Sequence, residues 1–123
     1  MKDEGNAGQR EDLRHRTKRY ALAIMDLSVL VPNNPRGWVI SKQFLRSGTS
    51  VGAQYREACR AKSNPDFISK MEGSLQELDE TLYWLELLQE SKLIQSNVIE
   101  PHTKETNELI AIFTTIVKKV KGY

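Results

Sequence analysis

With 123 residues, of which 28% are charged and 39% hydrophobic, the chain fits one soluble domain that buries roughly two-thirds of its unfolded surface. A single cysteine excludes an internal disulfide framework, the polar stretch Met1 to Arg10 has no apolar h-region of a secretory signal, and no apolar run is long enough to span a bilayer. The expected location is cytoplasmic. The net charge of +2 hides an asymmetry: residues 1–62 hold 12 basic and 6 acidic side chains, and residues 63–123 hold 6 and 10.

Residues 1–10, with Gly5 and Gly8 among polar side chains, read as a frayed tail. A first helix is expected over about residues 11–31, because Leu13, Thr17, Tyr20, Ile24, Leu27 and Val31 step by four and three and share one stripe. Pro32 cannot continue it, and Asn33-Asn34-Pro35-Arg36-Gly37 reads as a turn. The second helix is expected over 38–62, with Phe44, Gly48, Val51, Tyr55 and Cys59 on its apolar side. On the opposite side Lys42, Arg46, Arg56 and Arg60 fall within an arc of roughly 80°, at about 100° per residue. Thr49 and Ala53 fill the gap between the two basic pairs without adding negative charge. Gly48 and Gly52 each weaken this helix by roughly 1 kcal/mol relative to alanine. Either close approach of a neighbouring backbone or exposure of the backbone to a ligand would account for them.

Ser63-Asn64-Pro65 combines a break with a capped restart. The third helix, expected over 65–92, carries a coiled-coil-like seam of Ile68, Met71, Leu75, Leu78, Leu82 and Leu85, with Phe67, Ser74, Thr81 and Leu88 repeating every seven residues beside it. The connector near Leu93-Ile94-Gln95-Ser96 is short, so the fourth helix, over about 97–121, should pack antiparallel to the third. Its start is open between a cap at Ser96 or Asn97 and a delay or kink at Pro101. Leu109, Ile112, Ile116 and Val120 form its stripe. Lys118, Lys119 and Lys121 in the last turn suit the helix dipole, with phosphate contact as the alternative reading.

No segment alternates with period two, so the expected fold is all-α: an antiparallel up-down-up-down four-helix bundle. Tyr83, Trp84 and Leu87 lie off the third-helix seam, an excess of apolar surface that points to self-association. Catalytic patterns are missing. Only Asp12-Leu13-Arg14-His15 approaches the Glu-x-x-His motif of a di-metal bundle, Cys59 sits on an apolar face, and there is no glycine-rich phosphate loop. No enzyme activity, cofactor or metal is expected. Trp38, Tyr83 and Trp84 could stack on bases or pack in an interface.

Leu45–Ala53, followed by Tyr55–Ala61, Ser63 and Asp66-Phe67-Ile68, resembles the bacterial four-helix-bundle family of 23S rRNA intervening-sequence proteins. Asp79–Leu88 is similar to a late third-helix signature of one branch of that family, and Leu13-Arg14 through Ala21-Leu22 is similar to its opening. The resemblance covers about residues 12–95, and the fourth helix only by its pattern. It implies a cyclic homopentamer encoded within intervening sequences of ribosomal RNA genes. Relatives act as accessory variability determinants of diversity-generating retroelements, which implies nucleic acid and a reverse transcriptase as partners. The family brings no catalytic site. Within the matched motif, Arg46, Arg56 and Arg60 are the positions suited to phosphate.

The functional expectation follows from the basic strip together with that resemblance. Lys42, Arg46, Arg56 and Arg60, extended by Arg14, Arg16, Lys18 and Arg19, would meet the phosphates of structured RNA or DNA with salt-dependent, largely sequence-independent affinity. Symmetry copies would multiply a weak site through avidity. The rival is a protein–protein assembly module whose arginines form salt bridges within and between subunits. Glu57, three residues before Arg60, and the acidic third helix supply carboxylates for it. A membrane partner is not expected, since the bundle needs the apolar faces.

Overall fold

The structure is a computed structural model that describes residues 7–122. It holds α1 (Ala7–Leu30), α2 (Pro35–Cys59), α3 (Asn64–Glu90) and α4 (Ser96–Lys121), with no strand among the described residues. Local chemistry sets the boundaries. The Asn34 side chain accepts a hydrogen bond from the Gly37 amide at 2.9 Å, with Pro35 in the first turn. Ser63 does the same for Asp66 at 3.2 Å, ahead of Pro65. Both are side-chain caps followed by proline. Asn34-Pro35 is therefore a helix start, and α2 begins three residues earlier than its apolar pattern indicates. α4 starts at Ser96 and runs through Pro101 without a break.

The expected tail is corrected at its inner end. Residues 7–10 are the first turn of α1, while residues 1–6 lie outside the described residues. Arg10 shows why this turn is ordered. Its guanidinium lies 5.7 Å above the Phe67 ring, and its carbonyl accepts a hydrogen bond from the Tyr55 hydroxyl at 3.3 Å. Tertiary contact stabilises a turn whose two small residues and weak periodicity would not hold it alone.

Consecutive helices pack antiparallel. Along α1 and α2, Thr17 faces Gly52 and Ile24 faces Gly48. Along α2 and α3, Ser47 and Thr81 share a hydrogen bond of 2.6 Å, and Ser74 donates to the Val51 carbonyl at 2.9 Å. α1 and α4 touch least; Tyr20 and Thr106 join them through a 2.7 Å hydroxyl contact. The core runs through Ile24, Phe44, Val51, Met71, Leu78 and Phe113, all fully buried. Tyr55 and Phe113 meet across it with ring centroids 5.4 Å apart.

The third-helix seam is rotated from its expected position. Phe67, Ser74, Thr81 and Leu88 are buried, whereas Ile68, Leu75 and Leu82 are half-buried. Two small hydroxyl residues displace leucines from the interior because they let α2 and α3 approach closely. Leaving such a hydroxyl unbonded would cost about 1–3 kcal/mol. Thr17, Ser47, Ser74, Thr81 and Thr106 all have partners. Burial also raises the Tyr20 phenol to about 12.

The glycines of α2 serve the same close approach. A Cβ at Gly48 would lie 2.9 Å from Ile24 Cγ2, and one at Gly52 would lie 3.0 Å from Thr17 Oγ1. Ile24 and Thr17 are both fully buried and cannot swing away.

Two outcomes follow. Gly48→Ala gains up to about 1 kcal/mol of helix propensity but incurs about 1–3 kcal/mol of overpacking, so thermal unfolding should show a net loss and a melting point lower by on the order of 5 °C. His102 is half-buried, and burial lowers its pKa despite the opposing pull of Asp26. The folded state then binds this proton less readily than the unfolded chain, so the stability involved is present above the unfolded pKa of about 6.5 and lost as pH falls through the lower folded value. Urea titrations should show His102→Asn losing less stability than wild type between about pH 7 and pH 5.

Candidate nucleic-acid interface

One turn of α2 separates Arg56 from Arg60, about 6 Å along the axis, and Lys42 lies about 27 Å from Arg60 at 1.5 Å per residue. On an isolated helix these residues and Arg46 form one strip. Within the bundle, the two edges of that strip face different neighbours.

Arg46 leans toward α3. Its guanidinium reaches Glu80 at 2.6 Å and Glu77 at 3.3 Å, and Glu77 also accepts from the Gln54 amide at 3.1 Å. The Glu77 side chain is only 14% exposed, so its charge requires this company. Arg46 thus bridges α2 and α3, and its guanidinium is paired with carboxylates rather than free. Arg56 stands on the other edge, against α1. With Lys18 it flanks a groove of about 350 Å³ floored by Ala21, Gly52 and Ala53.

Lys18, Lys42, Arg56 and Arg60 are exposed, and no carboxylate among the described residues lies within 4.0 Å of them. Glu57 does not take Arg60, as its three-residue spacing suggests. It reaches across to Lys70 on α3 at 3.2 Å and leaves Arg60 to solvent. Arg14 is half-buried and only 3.8 Å from Glu11, a loose pair.

Arg16 leaves the basic surface altogether. It forms a fork with both Glu105 oxygens, at 2.8 and 2.7 Å, and a third bond to Glu108 at 3.0 Å. The hydrogen bond to Glu105 holds its pKa above the ordinary arginine range, against the opposing effect of burial. This fork closes the thin α1–α4 side, a role that the α1 sequence gives no reason to expect. Its only available signal is the pair Glu105 and Glu108, three residues apart on α4.

Exposed apolar side chains begin one turn from Lys18 and Lys42, at Leu22 and Trp38. Leu22, Met25 and Val29 are exposed on α1, Trp38 and Val39 on α2, and Tyr83 on α3. Trp38 donates its indole N–H to Asn33, and Tyr83 packs edge-on against Trp84 at 5.1 Å. Pro35, Val39, Ile40 and Leu87 line an apolar groove of about 680 Å³ beside Trp38. Among the described residues no group of three or more His, Cys, Asp or Glu could hold a metal ion, and no helix is long and apolar enough to cross a membrane.

Residues 11–115 match the sequence profile of 23S rRNA-intervening sequence proteins. Among solved structures, the chain is similar to a protein of unknown function from the S23 ribosomal protein family of Bacteroides thetaiotaomicron. The two are 38% identical, with a TM-score of 0.80, over 85% of this chain and 97% of that one. No curated protein matches the chain.

The different settings of the arginines predict different costs of removal. Arg46→Ala should lower stability by roughly 0.5–1 kcal/mol in urea unfolding, because the pair is half exposed yet leaves Glu77 without its cation. Arg56→Ala and Arg60→Ala should stay within about 0.5 kcal/mol of wild type.

Proposed function

The chain belongs to the family of 23S rRNA-intervening sequence proteins, and we propose that it is a non-enzymatic, homo-oligomeric helical scaffold that engages RNA or DNA through exposed cations on α1 and α2. Lys18, Lys42, Arg56 and Arg60 make the contact; Arg46 holds the platform behind them. One observation carries this reading. Glu57, Glu77, Glu80, Glu105 and Glu108 are all matched to other cations, while these four face solvent without a carboxylate partner among the described residues.

Such cations cost little desolvation to use and release counterions when they meet phosphates. The affinity is therefore salt-dependent and carries little sequence information. Self-association, as a cyclic pentamer in keeping with the family resemblance, repeats a weak site around a ring. The exposed apolar residues Leu22, Met25, Trp38 and Val39 suit contacts between subunits. A nucleic-acid enzyme such as a reverse transcriptase fits the same reading as a companion brought to the bound strand.

The second reading is an assembly module without a nucleic-acid partner. The Arg46–Glu77/Glu80 and Arg16–Glu105/Glu108 pairs favour it, since they turn arginines to structural use. Anisotropy of a labelled RNA hairpin at several salt concentrations, together with sedimentation, separates the two. On the nucleic-acid reading, changing Lys18, Lys42, Arg56 and Arg60 together to glutamine weakens binding at low salt by at least about tenfold and leaves the sedimentation coefficient unchanged. Equal, weak affinity in both proteins rejects that reading. A variant that sediments as smaller species and melts lower supports the assembly module instead.

A further inference from the structure

Antiparallel packing collects distant chain segments at one end of the bundle: the start of α1, the end of α2, the start of α3 and the end of α4. Contacts tie them together there. Arg10 covers Phe67, the Tyr55 hydroxyl reaches the Arg10 carbonyl, and Lys121 pairs with Glu72 at 3.0 Å. This end carries Arg60, Lys62, Lys118 and Lys119, all exposed and none within 4.0 Å of a carboxylate among the described residues. At the same end, over the Phe67 ring, Arg10 Nη2 is buried without a hydrogen-bond partner among the described residues. The same end also holds Glu11, Asp12, Glu57, Asp66 and Glu72, of which Glu11, Glu57 and Glu72 pair with Arg14, Lys70 and Lys121, so its cations outnumber its carboxylates; the opposite end mixes Asp26, Glu90 and Glu100 with Arg36 and Lys92.

The helix dipole favours these cations but does not by itself explain why they gather at one end. A basic residue in the last turn is favourable at any helix C-terminus. Yet α2 and α4, which end here, carry Arg56 and Lys118, Lys119 and Lys121 in their last turns, while α1 and α3, which end at the opposite pole, carry none. Asp66 in the first turn of α3 and the basic last turns of α2 and α4 all suit the dipole, but basic last turns occur at this end alone.

We propose that this basic pole is a second phosphate-contacting surface, joined to the α2 face through Arg56 and Arg60, so that one single strand or loop of nucleic acid passes along α2 and turns over the end of the bundle. The inference rests on the nucleic-acid reading above and specifies its ligand as single-stranded. A strand touching both surfaces must bend by about a right angle within the width of a small bundle. Duplex DNA has a persistence length of about 50 nm, so a bend of that sharpness strains it. A single strand has no such stiffness.

An anionic membrane is the less suitable occupant. A membrane-surface element needs apolar side chains interleaved with its cations, and Leu22, Met25, Val29, Leu30, Trp38 and Val39 are exposed toward the opposite end.

The test is binding of a labelled oligouridine of about 20 nucleotides across a salt series, because each phosphate contact on a single strand contributes about 0.7 to the slope of log affinity against log salt. Replacing Lys62, Lys118 and Lys119 together with glutamine should reduce that slope by about 2, whereas the same positions changed to arginine should keep it. A blunt duplex of similar length, confined to the α2 face, should show little change between wild type and the glutamine variant. Far-UV melting checks that the exposed substitutions leave the fold intact. Binding with an unchanged slope in the glutamine variant overturns the pole and leaves the α2 face standing. No binding by wild type at low salt rejects the functional reading and the pole with it. Phosphatidylserine vesicles bound more tightly than the oligonucleotide, through the same lysines, would assign the pole to a membrane.

Discussion

The close approach of α2 to its two neighbours is the constraint on which the rest of the bundle depends. On one side Gly48 and Gly52 admit Ile24 and Thr17 of α1. On the other, Ser47 bonds to Thr81, and Ser74 bonds to the α2 backbone. Small residues forgo apolar burial and helix propensity, so they need compensation. It comes from dense packing along the whole helix and from hydroxyls that are bonded where they are buried. Once α2 is locked in this way, its rotation about its own axis is fixed, and so is the direction of every side chain on its outer face.

That rotation sorts chemically similar residues into different roles. Arg46 and Arg56 lie ten residues apart at opposite edges of one basic arc. The first falls beside Glu77 and Glu80 of α3, and the second beside Lys18 of α1. The same logic neutralises Arg16, because α4 presents Glu105 and Glu108 at its level. The acidic half of the chain thus neutralises particular members of the basic half. What remains positive is a subset chosen by geometry. The asymmetry of charge between the two halves of the sequence is partly consumed inside the fold and partly displayed outside it.

The match over residues 11–115 and the solved relative at a TM-score of 0.80 place this arrangement within a known family of helical bundles. Neither carries a reaction with it, and the relative itself is of unknown function. A face of unpaired cations, with exposed apolar side chains such as Trp38 and Leu22 one turn from Lys42 and Lys18, suits a scaffold that holds a polyanion and associates with other chains.

Four helices, their breaks and most of their buried stripes were legible in the residues themselves. Apolar spacing and proline–cap pairs act within a few positions, and an interaction of that range is written in the local sequence. Ser63-Asn64-Pro65 was readable as a restart for this reason, and Asn34-Pro35, the same device, was obscured only by the turn-like residues around it. The family motifs were legible as well. What the sequence could not decide was which cations stay free. Arg46 meets Glu80 across 34 positions and Arg16 meets Glu105 across 89, and the Tyr55 hydroxyl meets the Arg10 carbonyl across 45. Those encounters depend on the relative height and rotation of packed helices, quantities that exist only after the chain has folded, so the tertiary structure alone separated structural charge from available charge.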